Sequence, residues 1–437
     1  MQTSINPFIY SRAVMPNEFV GREKEIKRLL SRLSSDQSTA IIGLPHVGKT
    51  SLINYVMQSD VRQEAFGETF QHDLLRLLDA HMLRSVRSQT EFWEQAIKPL
   101  EEKLDKQEPV YQPLNDVFVT TRENKFGTFV LEQLFAVFKE NKIRLILFLD
   151  EFDDLLSHPV LNSAEFYGSL RSLASRSLGL VLVLGSRRDL EQLNVKTQEI
   201  NPHGSPYFNV FTEIVLKNLP EDSFHKLLDK GGGYFNAADR EFVRSVSGFH
   251  PLIAQAAAAK LWDAHEEGLK DVKRYEVAGR ELHRGIKHNF ADTWRVWTNE
   301  TKRVITIVAL TQIPKLLGKQ HVFSIGDDLK RLSDYSSEIQ ALEDRGVLVS
   351  SGGDWMITQG AFLWWLTDEL VRNVRDETEF SAWIQAQEMD GVLTTQQKAQ
   401  LTKTTTAVLE HLNKGATTMI EAFAQGAAGA ALKRMGW

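Results

Sequence analysis

Cysteine is absent from the 437-residue chain, which excludes disulfide frameworks and thiolate metal sites. That absence suits a reducing cytoplasm. Long apolar runs are missing too. No stretch reaches about 18 uninterrupted apolar residues, so no membrane-spanning helix is expected. The opening MQTSINPFIYSRAVMPNEF has no basic head followed by an apolar run, so no secretory signal is expected. A basic excess is also lacking. Lysine and arginine number 51 against 57 acids, a formal net charge of -6. That balance argues against a dedicated nucleic-acid binder. No internal repeat of solenoid period is visible. The remaining composition, 42% hydrophobic and 25% charged, is ordinary for a globular protein and supplies more than one core.

Four regions differ in texture. Residues 1–20 form an irregular lead-in containing Pro7 and Pro16. Residues 21–215 alternate helical patterns with short apolar runs: STAIIG (38–43), RLILFLD (144–150) and LGLVLVLGS (178–186). Runs this short, set between helices, predict buried parallel strands of an α/β sheet. Residues 216–290 are expected to be all-helical. Residues 291–375 add a strand pair, Gly346–Val349 and Trp355–Ile357, with Ser350 to Asp354 as the turn. Helices followed by a hairpin give the order of a winged helix. Residues 376–437 are expected to be a helical tail. The expected domains are therefore 1–215, 216–290, 291–375 and 376–437.

Gly43-Leu44-Pro45-His46-Val47-Gly48-Lys49-Thr50 matches the pattern G-x-x-x-x-G-K-S/T in full. It follows an apolar run and precedes a helical pattern starting at Ser51. Its glycines let backbone N–H groups face phosphates, and the helix N-terminus adds partial positive charge. Lys49 would reach the β- and γ-phosphates of ATP, and Thr50 would offer a hydroxyl to Mg²⁺. The run ending in Asp150-Glu151 is an apolar strand closed by two carboxylates. Asp150 is the candidate for Mg²⁺, through a bound water. Glu151 is placed to polarise the attacking water. Asp153 and Asp154 are assigned to a helix start, where acids favour the dipole.

The run ending in Gly185-Ser186-Arg187-Arg188 is another buried strand with a sudden polar end. A cation here would lie beside the γ-phosphate and stabilise charge developing in transfer. Arg187 is the better candidate of the two. Arg171 and Arg176, on the preceding helix, are read as surface arginines, with a role towards a neighbouring subunit as the alternative.

With these pieces in order, the chain resembles the STAND class of P-loop ATPases within the wider AAA+ group, over roughly residues 1–375. Phe19-Val20-Gly21-Arg22-Glu23 is similar to the family's entry motif, and the resemblance implies that Phe19, Val20 and Arg22 pack near the adenine. Ser247-Gly248-Phe249-His250-Pro251 resembles the family's Gly-x-Pro box in the helical lid, which implies that His250 and Pro251 touch the nucleotide. Phe249 stands where glycine is frequent. No Met-His-Asp triplet follows the hairpin; Thr358-Gln359-Gly360 does not match it.

The expected recognition helix of the winged helix, Ser336 to Arg345, carries three acids and one base, a face that would repel DNA phosphates. The module is therefore read as an intramolecular hinge, with DNA binding as the alternative. The apolar run Ala361 to Leu366 suits a core or a protein contact. The expectation is an α/β P-loop ATPase with lid, winged helix and helical tail. It would bind ATP and ADP, hydrolyse ATP slowly, assemble on activation and act through a protein trigger or effector in signalling or antiviral defence. The alternative is a DNA-associated ATPase of initiator or transposition-regulator type.

Overall fold

The structure is a computed structural model. It describes residues 5–68, 71–176, 179–316, 332–351 and 353–373, with 382 and 385 as isolated positions. Apart from those two positions the expected tail lies outside the described residues, as does the part of the expected winged helix between 317 and 331. The chain divides into two units. A sheet unit comprises residues 13–44 and 48–216. A helical unit takes the described residues of 1–12, of 45–47 and from 217 onwards.

The sheet unit is built on five parallel strands: β1 (Thr39–Ile42), β2 (Leu74–Asp79), β3 (Leu145–Asp150), β4 (Leu180–Ser186) and β5 (Thr212–Val215). Their order is β2-β3-β4-β1-β5. The inner strands β1, β3 and β4 are buried throughout. Parallel strands covered on both faces need such near-continuous apolar runs. The edge strands β2 and β5 are only partly buried. The register aligns the strand ends: Asp79 pairs with Asp150, and Ile42 with Ser186. The chain segments that follow β1, β2, β3 and β4 therefore emerge at one edge of the sheet.

Beneath the sheet lies an aromatic core that includes Phe92, Trp93, Phe135 and Phe166. Phe152, fully buried, packs its ring 5.5 Å from Phe208 and 6.2 Å from Tyr167. Burying such a ring stabilises by about 1.5–3 kcal/mol and anchors the turn that follows β3.

Arg144 ties the opposite end of the sheet. It donates to the Leu33 carbonyl at 2.6 Å, to Asp36 at 2.7 Å and to Asp73 at 2.6 and 3.1 Å. Burial pushes the Asp73 carboxyl up, and Arg144 draws it part of the way back. Removing the arginine strands a buried carboxylate. Arg144→Met should lower the unfolding free energy in urea by about 3–5 kcal/mol. A loss below about 1 kcal/mol would mark this as an ordinary exposed pair.

The helical unit runs through helices Glu221–Leu228, Ala237–Ser247, Pro251–Glu266 and Asp271–Val296. The last continues unbroken past residue 290. The lead-in also belongs here: Phe8 stacks on Phe235 at 5.4 Å, and Asn6 donates to the Ala259 carbonyl at 3.1 Å. Helices Asn299–Leu316, Ser336–Asp344 and Gly360–Asn373 accompany a hairpin of β6 (Leu348–Ser351) and β7 (Asp354–Ile357). The hairpin corrects the expected five-residue turn. Ser351 pairs with Asp354, leaving only residues 352 and 353 between the strands. Gly353, at φ 88°, takes the left-handed conformation that so tight a connection needs. The run Ala361 to Leu366 is buried, with Phe362 packed 5.4 Å from Trp297, and so is core rather than a docking surface. Among the described residues, no helix is long and apolar enough to cross a membrane.

Candidate functional site

The residues at the C-terminal edge of the sheet unit meet around the loop after β1. Gly48 has φ 104°, a left-handed conformation that glycine adopts without strain, and helix Lys49–Val56 starts directly after it. The Lys49 ammonium is buried and donates to the carbonyls of Gly43 at 2.9 Å and Leu44 at 3.1 Å. Burial lowers its pKa to about 8, against the opposing pull of Asp150 and Asp153. Ser51 and Val47 are buried, and His46 is exposed. Residues 45–47 group with the helical unit, where His46 Nε2 lies 2.8 Å from Asn289 Nδ2.

Thr50 Oγ1 donates to Asp150 Oδ2 at 2.5 Å. The other Asp150 oxygen accepts the Glu151 N–H at 3.0 Å. This fit needs Gly185 on the neighbouring strand, because a Cβ there would overlap the Asp150 carboxylate. A hydroxyl and a carboxylate converging on one point are the hard oxygen donors that a magnesium ion takes.

Glu151 sits at φ 51°, a left-handed conformation uncommon for a side-chain-bearing residue. Its carboxylate is half-buried and lies 2.8 Å from His81 Nε2. Burial and the charge of Asp79 raise its pKa, while His81 opposes them. Asp79, His81 and Glu151 thus form one cluster, with ligand-type atoms within 4.8 Å of one another. The sequence reading missed Asp79 and His81, because β2 was not recognised as a strand.

Arg187 is held by two acids that follow β3. Asp153 accepts its backbone N–H at 3.0 Å and its Nε at 2.7 Å, and Asp154 accepts from Nη2. Burial pulls the guanidinium down, but the two acids outweigh it and hold its charge. Asp153 and Asp154 do open a short helical turn, Phe152–Ser157. Beyond that expected placement, they are the partners of Arg187. Arg188 closes its own turn through Ser186 Oγ, at 3.0 Å. Arg171 is half-buried, and exposed Arg176 pairs with Glu132 at 2.5 Å.

Phe19, in the entry motif, packs its ring 5.1 Å from Tyr55 on the helix after the loop. Val20 is half-buried. Arg22, at φ 72°, is buried 3.7 Å from Glu25. In the helical unit, Gly248 and Phe249 both take positive φ. The Phe249 ring packs 5.0 Å from Phe224. His250 is buried just before helix Pro251–Glu266.

A phosphate-type loop, an acid-ended central strand and the order β2-β3-β4-β1-β5 define a P-loop nucleotide-binding domain of the ATPase class. Comparison with known proteins agrees. Residues 18–185 match the AAA ATPase domain, and residues 110–313 match Novel STAND NTPase 2. The chain therefore carries an ATPase module of AAA and STAND type. No curated protein matches it. A Walker-type ATPase of Pyrococcus abyssi shares the fold at a TM-score of 0.54 and 16% identity, covering 83% of this chain and 99% of that one. The ORC2 protein of Aeropyrum pernix is a looser likeness, with a TM-score of 0.47, 12% identity and coverage of 83% and 98%. A STAND protein with a tetratricopeptide repeat sensor from Pyrococcus horikoshii has a TM-score of 0.32 and 13% identity, covering 90% of this chain and 48% of that one.

Proposed function

We propose that this chain is a cytoplasmic, ATP-operated conformational switch that hydrolyses ATP slowly and assembles when ATP replaces ADP. The observation that carries this reading is the convergence of Lys49, Thr50 and Asp150 at one sheet edge, with Glu151 directly after. Backbone N–H groups of residues 43–48 and the Lys49 ammonium hold the phosphates. Thr50 would hold Mg²⁺ by its hydroxyl and Asp150 through a bound water, and the ion would neutralise phosphate charge. That help matters, because Asp150, Glu151, Asp153 and Asp154 gather their negative charges beside Lys49 and Arg187. Glu151 orients the attacking water and takes its proton. Phe19, Val20 and Arg22 flank the adenine. For His250 and Pro251 the role rests on the resemblance alone. The four-part division at 215, 290 and 375, and a tail that couples to a protein effector in signalling or defence, belong to the same proposal.

The exposed positions of helix Ser336–Asp344 are Ser336, Ser337, Gln340, Glu343 and Asp344, and Asp344 is itself paired with Lys217 at 3.1 Å. Such a surface disfavours DNA phosphates. Size-exclusion chromatography of the protein with ADP, and with a non-hydrolysable ATP analogue, tests the switch. A larger species should form with the analogue alone and be indifferent to duplex DNA. An unchanged profile would sink the switch. DNA binding tighter than about 10⁻⁶ M, with stimulated turnover, would favour the DNA-associated ATPase instead.

A further inference from the structure

The two acids that hold Arg187 are not equivalent. The turn beneath Arg187 is fixed: Ser186 Oγ donates to the Arg188 carbonyl at 2.7 Å and accepts the Arg188 N–H at 3.0 Å. Asp153 grips both the backbone N–H and Nε of Arg187, and its side chain is only 2% exposed. Asp154 takes a single terminal nitrogen, Nη2, and its side chain is 30% exposed. Both Asp153 and Arg187 act on the charge of Lys49, so the pair lies within charge–charge range of the loop ammonium.

We propose that Asp153 is a positioning residue that fixes Arg187 by its backbone and Nε, and that Asp154 is an exchangeable partner displaced from Nη2 by the γ-phosphate of ATP. This rests on the reading that Arg187 answers to that phosphate. A guanidinium has five N–H donors in a rigid fork, so the Asp153 grip leaves the terminal nitrogens available to turn to another acceptor. Losing the Asp154 contact costs little, because that carboxylate can be resolvated. Losing Asp153 would strand a buried charge. ADP has no γ-phosphate to compete, so Arg187 stays on Asp154. The acid pair thereby sets how strongly the site prefers ATP over ADP.

The test is equilibrium binding of ADP and of a non-hydrolysable ATP analogue to the full-length protein, with melting temperatures as the folding control. Arg187→Ala should weaken the analogue by about tenfold or more and leave ADP unchanged. Asp154→Asn, with Asp154→Ala as a second variant, should tighten the analogue by about threefold to fivefold, the scale of a part-exposed ion pair. ADP affinity should not move, and the gain should vanish in the Arg187→Ala background. Asp153→Asn should shift analogue affinity towards that of Arg187→Ala. If Arg187→Ala leaves both affinities unchanged, the parent reading of Arg187 fails. If Arg187→Ala acts as expected, the proposal is overturned by any of three results: an Asp154 variant that changes nothing, one that changes ADP equally, or one that keeps its gain without Arg187.

Discussion

Glu151→Gln should bind ATP much as the wild type does and turn it over about 10²–10⁴-fold more slowly, the usual cost of losing a positioned general base. The substitution is nearly isosteric. Its amide oxygen can still accept from His81, which lies 2.8 Å from the present carboxylate. Asp150 keeps Thr50 on one oxygen and the residue-151 N–H on the other, so the proposed metal donors are undisturbed. The left-handed backbone at this position is held by Phe152, buried in the core immediately after it. Binding and chemistry should therefore separate: single-turnover assays would show slow hydrolysis, and calorimetry a nearly normal affinity. The variant should also accumulate the assembled form in ATP. Unchanged turnover would mean that another group activates the water. Asp153, the next carboxylate along after Glu151, is already committed to Arg187.

Much of this arrangement was legible because chemistry interrupts the hydrophobic pattern. Gly43 to Thr50 breaks an apolar run with glycines and a lysine, and Asp150-Glu151 and Ser186-Arg187 end two others. Strands β3 and β4 are buried throughout and read as unbroken apolar runs. Strand β2 was not legible. Leu74, Leu75, Leu77 and Leu78 recur at helical spacing, and Arg76 interrupts them because an edge strand need not be buried on both faces. Losing β2 meant losing Asp79 and His81, which reach Glu151 only through strand register. β5 is short and half-exposed, so its pattern is equally faint. The polar end of β4 was visible, but not the partner of Arg187. That depends on how the chain turns after Glu151, a tertiary property no local window contains. The hairpin turn is shorter than its serine, glycine and aspartate signal, because the pairing continues past Val349–Met356 to Ser351–Asp354.

Lys49→Ala should cost about 10²-fold or more in nucleotide affinity, because on the proposed reading it removes a charged donor to two phosphates. The pH dependence makes this sharper than a simple loss. Burial holds the free-state pKa of Lys49 at about 8, against 10.5 ordinarily. Bound phosphates favour the ammonium, so the pKa in the complex must be higher than in the free protein. Below about pH 8 the lysine is charged in both states, and affinity should be flat. Above that value the free protein loses the proton first. Binding must then restore it, and affinity should fall by up to about tenfold per pH unit until the pKa of the complex is reached. The terminal phosphate of ATP, with a pKa of about 6, is already ionised across this range and adds no slope. Calorimetry from pH 7 to 9.5 should show the decline in the wild type and a flat line in Lys49→Ala. A misfolded variant would be recognised separately. Burying the ammonium works against folding, so its removal should leave the melting temperature unchanged or raise it. Wild-type affinity in the variant, or an equal slope in both proteins, would remove Lys49 from the phosphate site.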